Sequence, residues 1–193
     1  MIRIIGGKHR GRMLETPPGD ATRPTSNRAR ESLFNVLMHA RWRDSAEDGG
    51  TSPLIDARVL DSYAGSGALG LEALSRGATH VTFLDNEANA IKTIGENLRT
   101  LGEAGAAKVV RADATRPPPC REPCDLVFLD PPYRSGQASA AIAALAAAGW
   151  MSPGCVVTVE LAHNEDMIAP EGFETIDERR YGAAKIVILK RGP

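Results

Sequence analysis

The stretch Val59-Leu60-Asp61-Ser62-Tyr63-Ala64-Gly65-Ser66-Gly67-Ala68-Leu69-Gly70-Leu71-Glu72-Ala73-Leu74 constrains the fold more than any other part of the chain. It begins as a short apolar strand, passes through a glycine-rich turn and ends as an amphipathic helix. Such a unit returns the chain over a sheet and presents its turn to a nucleotide-like ligand. Gly65, Gly67 and Gly70 satisfy the G-x-G-x-x-G pattern, in which backbone without Cβ bends sharply and approaches a ligand closely. Alone, that pattern fits many ligands.

The rest of the chain places this unit in an α/β fold. Strands are expected at Arg58–Asp61, His80–Asp85, Lys108–Ala112, Asp125–Asp130, Val156–Leu161 and Lys185–Lys190, and helices at Ala68–Arg76, Glu87–Leu101 and Ala138–Ala148. This alternation specifies a mostly parallel sheet with helices on both faces. The last strands lie close together around Tyr181-Gly182, so an antiparallel hairpin should close the sheet. Residues 1–14 suggest a hairpin or flap around Gly6, Gly7 and Gly11, followed by a turn at Pro17-Pro18-Gly19-Asp20. A helix should begin near Thr25 or Ser26 and carry an apolar stripe of Leu33, Phe34, Leu37, Met38 and Trp42. The expected organisation is therefore a basic N-terminal hairpin and helix over 1–43, a polar loop over 44–56 and an α/β domain over 57–193.

Asp61 narrows the ligand. It ends its strand where a pyrophosphate would meet the helix N-terminus, and a carboxylate there disfavours an anionic cofactor. S-adenosylmethionine carries a sulfonium and an ammonium and no phosphate, so it suits that position better than NAD. The competing role for Asp61 is to cap the loop backbone. Asp85 falls 18 residues after Gly67, where an acid can accept both ribose hydroxyls. Its alternative is a helix N-cap. Asp113 can accept from an adenine amine while the Ala114 amide donates to the ring, or it can form a plain Asx-turn.

Asp130-Pro131-Pro132-Tyr133 follows the strand run Val127-Phe128-Leu129. An exocyclic amine on a nucleobase is a poor nucleophile because its lone pair is delocalised into the ring. Two acceptors aimed at its N–H bonds favour the pyramidal geometry and the positive charge that develops during attack. Asp130 and the Pro131 carbonyl suit that task, with Pro131 and Pro132 stiffening the backbone. Tyr133 offers a face on which an extruded base can stack, a contact worth ~1–3 kcal/mol. A Pro-rich turn after a strand is the bland alternative.

The formal net charge of −1 hides an asymmetry. Residues 1–43 carry nine basic groups against three acidic ones, and the acidic surplus lies in residues 44–193. Arg3, Lys8, Arg10, Arg12, Arg23, Arg28 and Arg30 are the candidate phosphate contacts. A solvated basic face without a partner is the alternative. No apolar run reaches the length of a membrane span. The three cysteines, Cys120, Cys124 and Cys155, are expected to be reduced thiols in a cytoplasmic protein, with no metal site.

Taken together, Asp61, Gly65-Ser66-Gly67, Asp85 and Asp130-Pro131-Pro132-Tyr133 resemble the class I S-adenosylmethionine-dependent methyltransferases that modify amino groups. Arg3-Ile4-Ile5-Gly6-Gly7, Arg10-Gly11-Arg12, Thr22-Arg23-Pro24-Thr25, Arg30-Glu31-Ser32-Leu33-Phe34-Asn35, Tyr63 to Gly77 and Tyr181-Gly182 look like the bacterial small-subunit (16S) rRNA guanine-N2 methyltransferase family. One departure is Asp85-Asn86, where that family is expected to place Glu against the ribose. The resemblance implies a Rossmann-like sheet of seven strands. It also implies a cofactor site at Asp61, Tyr63, Gly65, Gly67, Asp85, Asn86, Asp113 and Ala114, and a monomer acting on 16S rRNA or the small subunit. Rival readings are an N6-adenine or N4-cytosine DNA methyltransferase, a protein-glutamine methyltransferase, an NAD-dependent dehydrogenase, and a non-catalytic RNA-binding assembly factor.

Overall fold

Strand and helix alternate from residue 58 onward in a computed structural model that describes residues 2–18, 27–39 and 52–193. A short antiparallel pair, β1 (Ile2–Arg3) and β2 (Met13–Leu14), precedes the helix α1 (Asn27–Met38). Then follow β3 (Arg58–Ser62), α2 (Ala68–Ser75), β4 (His80–Asp85), α3 (Ala88–Leu101), β5 (Ala107–Arg111) and β6 (Cys124–Leu129). The chain ends with α4 (Gln137–Ala147), β7 (Met151–Ala162), β8 (Phe173–Tyr181) and β9 (Ala184–Arg191). The last seven strands form one sheet in the order β5-β4-β3-β6-β7-β9-β8. Those from β3 to β7 pair in parallel, and β9 runs antiparallel to both its neighbours. This is the Rossmann-like architecture expected from the sequence, and no described helix is long and apolar enough to cross a membrane.

Successive strand residues point to opposite faces, and the core divides accordingly. Val59, Phe83 and Phe128 join Phe34 and Leu37 of α1, Leu71 and Leu74 of α2, and Ile94 and Leu98 of α3. Leu60, Leu84 and Val127 pack on the other face against Ile142 and Leu145 of α4. The central strands are covered on both sides, which is why β3 and β6 read as apolar runs rather than as alternations.

One strand start and one whole strand, β8, differ from expectation. β7 starts five residues before the expected Val156, and its Pro153-Gly154 is absorbed by an irregular register between Cys124 and Leu126 of β6. β8 carries Glu174, Asp177, Glu178, Arg179 and Arg180 at the sheet edge, where charges deter further strand pairing and also erase the apolar pattern. Of the expected 44–56 loop only its end is described, and Leu54 there is fully buried. Thr25, Ser26 and Trp42 lie outside the described residues.

The N-terminal hairpin is docked on α2 by a buried carboxylate. Glu72, fully buried, accepts from the backbone N–H of Ile5 at 2.7 Å and of Gly6 at 2.8 Å, and pairs with Arg76 Nε at 2.7 Å. Ser75 Oγ donates to the Gly6 carbonyl and accepts from His9 N–H. A Cβ on Gly7, whose φ is +74°, would stand 1.7 Å from the Ser75 carbonyl, so only glycine allows this approach. Ile2, Ile4 and Leu14 complete the contact by entering the core shared with α1, α2 and α3.

Replacing Glu72 by Ala leaves two backbone amides and a guanidinium without their acceptor, so the variant should lose about 3–5 kcal/mol of stability. Urea unfolding measures the loss, and hydrogen exchange at Ile5 and Gly6 should accelerate first.

Candidate active site

The parallel register lines up the ends of the strands. Ser62 of β3 stands opposite Leu84 of β4 and Leu129 of β6, and Leu129 stands opposite Val159 of β7. One residue further on, Asp85, Tyr63, Asp130 and Glu160 form a row along the carboxyl edge of four strands. β3 is flanked by β4, which follows it, and by β6, which comes later, so the row crosses the topological switch point where open α/β sheets bind ligands.

Two carboxylates pin the glycine loop between β3 and α2. Asp61 Oδ2 accepts from Gly70 N–H at 2.8 Å, and Asp85 Oδ2 accepts from Gly65 N–H at 2.8 Å. Of the two roles weighed for Asp61, the structure displays the loop cap. Burial pushes the Asp61 carboxyl up to about 8, against the lowering effect of the Gly70 amide, with nearby Asp85 adding to the rise. The N-cap weighed for Asp85 falls instead on Glu87, and Asp85 Oδ1 accepts from Glu87 N–H at 2.9 Å in the turn that leads into α3. The three glycines divide their work. Gly65 (φ +55°) has open space where a Cβ would be, Gly67 sits at φ +77°, and a Cβ on Gly70 would stand 2.4 Å from the Phe83 ring. The first two shape the turn and the third lets α2 lie close on the sheet. Tyr63, between them and β3, holds φ +60°, a conformation that bulky residues adopt only under constraint.

Beside this loop opens a cavity of about 240 Å³ lined by Tyr63, Leu84, Asp85, Asn86, Ala112, Asp113, Ala114, Thr115 and Gln137. Two carboxylates line it, and among these residues there is no lysine or arginine. The lining suits a cofactor rich in hydroxyl and amino donors and poor in phosphate, which is the chemistry of S-adenosylmethionine rather than NAD. Asp113 forms the Asx-turn, with Oδ1 accepting from Thr115 Oγ1 and N–H. Those bonds, with Arg116 at 3.2 Å, hold its carboxyl below the usual range. Its oxygens, like those of Asp85, retain further acceptor capacity towards the cavity. Leu84, Ala112, Thr115 and Gln137 were not anticipated. Gln137 accepts from the Tyr63 hydroxyl at 3.2 Å, a contact between residues that no sequence spacing connects. Among the described residues no cluster of His, Cys, Asp or Glu could hold a metal, and Cys120, Cys124 and Cys155 are free thiols.

Asp130 follows β6 directly, with its N–H 3.4 Å from the Ser62 carbonyl. Pro131 is buried, Pro132 is exposed, and Tyr133 is 40% exposed with its hydroxyl donating to Glu160 Oε1 at 2.6 Å. Glu160 was not anticipated either, although an acid inside the apolar run of β7 is a signal that could have flagged it.

The cations separate into different environments. Arg3, Lys8, Arg10 and Arg12 are exposed on the hairpin. Lys8 pairs with Glu103 at 2.7 Å, and Arg12 Nη2 donates to the Thr100 carbonyl in the last turn of α3. Because the hairpin tip abuts the C-terminal ends of α2 and α3, it stands about 12 Å along α2 from the glycine loop. Arg30 is a correction: it is 1% exposed, and its Nη2 donates to the Arg3 carbonyl at 2.6 Å. It helps anchor the hairpin and has no surface left for phosphate. Arg23 and the side chain of Arg28 lie outside the described residues.

A family model described as Conserved hypothetical protein 95 matches residues 2–190. The chain is 36% identical over 186 residues to Ribosomal RNA small subunit methyltransferase D of Haemophilus influenzae, covering 94% of this chain and 89% of that one. It is 40% identical over 160 residues to the protein of the same description from Escherichia coli K12, covering 82% and 74%. Among solved structures, a candidate methyltransferase from Escherichia coli superposes with a TM-score of 0.79 at 36% identity, over 99% of this chain and 98% of that one. A candidate methylase from Haemophilus influenzae gives 0.76 at 32% identity, over 100% and 99%.

Since the folded state keeps a proton on Asp61 that the unfolded chain releases above its ordinary value near 4, this residue makes stability fall as pH rises from about 4 towards 8. An Asp61→Asn variant lacks that titration. Its melting temperature relative to the parent should rise by roughly 2–8 °C between pH 5 and pH 8, and a parallel curve for the two proteins would mean that Asp61 is ionised in the fold.

Proposed function

The chain belongs to the Conserved hypothetical protein 95 family, shared in sequence with the small-subunit rRNA methyltransferase D proteins, and from that premise we propose that it methylates the exocyclic N2 amine of a guanine in 16S rRNA. By that membership it is an S-adenosylmethionine-dependent methyltransferase of ribosomal RNA. The guanine target, the residue roles and the division into a catalytic unit (57–193) and an RNA-holding extension (1–43) are our reading.

What carries it is the row Asp85–Tyr63–Asp130, which sets a cavity lined by two carboxylates against the Asp130-Pro131-Pro132-Tyr133 loop. Asp85 and Asn86 hold ribose hydroxyls. Asp113 accepts from the adenine amine, and the Ala114 amide faces the ring. Gly65 and Gly67 leave room for the cofactor's amino-acid end, while Asp61 holds the turn beside it. When bound, S-adenosylmethionine supplies an electrophilic methyl group on a sulfonium. Tyr133 stacks the guanine once it has left its own stack, as enzymes acting on a base require. Asp130 and the Pro131 carbonyl accept from the two N–H bonds of its amine, turning the lone pair towards the methyl carbon. Pro131 and Pro132 hold those acceptors rigid, so most of the catalytic effect comes from alignment.

Arg3, Arg10 and Arg12, with Lys8 while it shares Glu103, hold phosphates of nucleotides some distance from the target, given the 12 Å or so between hairpin tip and loop. Arg23 and Arg28 are proposed to continue that track. The partner is 16S rRNA or the small subunit, met by a monomer in the bacterial cytoplasm.

Four measurements test this. Asp130→Ala should abolish methyl transfer while cofactor affinity stays within a few-fold, and loss of both would make the residue structural. Replacing Arg10 and Arg12 by Gln should reduce the salt dependence of RNA binding by roughly 0.7–0.9 of slope per lost phosphate contact; an unchanged slope removes the hairpin from the interface. S-adenosylmethionine should raise the melting temperature and NAD should not, and mass spectrometry of the methylated RNA should locate the group on guanine N2.

A further inference from the structure

We propose that Glu160 is a positioning residue that fixes the ring of Tyr133 for the target base, with Glu165 securing the backbone of the same loop; this deepens the methyltransferase reading and rests on it. A stacking platform works only if its plane is held. Tyr133 lies on an exposed loop and is itself 40% exposed, and its hydroxyl gives the ring a fixed point on the sheet. The hydroxyl donates to Glu160 Oε1 at 2.6 Å, within the range of charge-assisted hydrogen bonds. Glu160 is only 7% exposed and sits inside β7, opposite Ile186 of β9. The anchor is therefore on a rigid central element while the anchored ring is on a loop, the arrangement that holds a functional group in place.

A second grip arises from the loop after β7. Glu165 Oε2 accepts from Ala162 N–H at 3.3 Å, which folds it back on the strand, and from Arg134 N–H at 2.9 Å, which fastens it to the residue after Tyr133. Arg134 is held at φ +56°, a conformation non-glycine residues rarely take. Its Nη2 donates to Asn164 Oδ1 at 3.2 Å, and Ser139 Oγ at the start of α4 donates to the Ile168 carbonyl at 3.1 Å. Residues 133 to 139 are thus clasped from one side by β7 and the chain that follows it. The phenol hydroxyl donates to Glu160, so the ring is tied to the sheet at its far end.

The test uses the full chain with its rRNA substrate and the variants Glu160→Ala, Glu160→Gln, Tyr133→Phe and Glu160→Ala/Tyr133→Phe. If the bond positions the ring, the Ala and Phe variants should each lower kcat/KM for RNA by roughly ten- to hundredfold, the usual weight of one hydrogen bond to a charged group. Cofactor affinity should be unchanged. The double variant should be no worse than either single one, and Glu160→Gln, whose carbonyl still accepts from the phenol, should recover most of the loss. Multiplying losses in the double variant, a Gln variant as poor as Ala, or a Glu160→Ala enzyme of full activity would each overturn the proposal. Should Glu160→Ala fail to fold, Tyr133→Phe breaks the same bond from the other partner, and full activity there would overturn it equally. Asp130→Ala separates the two levels. If it stays active the methyl-transfer reading falls, whereas an inactive Asp130→Ala beside a fully active Glu160→Ala removes only the positioning role.

Discussion

Two hydrogen bonds, donated by the N–H groups of Gly70 and Gly65 to aspartates at the strand ends, hold this molecule's site together. Asp61 reaches forward to Gly70 and Asp85 reaches across to Gly65, so both ends of the turn are tied to adjacent strands. A turn of this kind carries unpaired amides that would otherwise have to be satisfied by water or ligand. Tying two of them to the sheet fixes where the remaining amides point. It also fixes Tyr63 at positive φ, between the cavity and the Asp130 loop. The cost is a buried acid at Asp61 whose proton is retained to near pH 8.

Buried carboxylates recur as fasteners elsewhere. Glu72 draws the hairpin onto α2, the helix that begins at the glycine loop, and Glu160 holds the aromatic tip of the loop after β6. In each case an acid on a regular element takes hydrogen from an irregular one. Such bonds are strengthened by the dry surroundings. The irregular segments that would touch substrate thereby inherit the rigidity of the sheet.

Much of this was legible in the sequence. The apolar runs at 59–60, 81–84 and 126–129 sit near fully buried central strands, and buried parallel strands need continuous hydrophobicity. The glycine pattern and the acids after the strands fell where the register sets them side by side. Other features were hidden for identifiable reasons. β8 was masked by edge charges. Arg30 looked like part of a basic surface because a helix position gives charge but not depth. Gln137 and Thr115 carried no local pattern at all.

By itself the sequence determined the fold class, the glycine turn, the row of acids at the strand ends and the loop beginning Asp130-Pro131, because periodicity and turn chemistry are local properties. Only the tertiary structure decided what each charged group does. It made Asp61 a loop fastener, sent Arg30 inward to the Arg3 carbonyl, spent Glu72 on backbone 67 residues away and joined Tyr133 to Glu160 across 27 residues. Burial and hydrogen-bond partnership depend on which distant segments meet, and that is set by the packing of the whole chain rather than by any stretch of it.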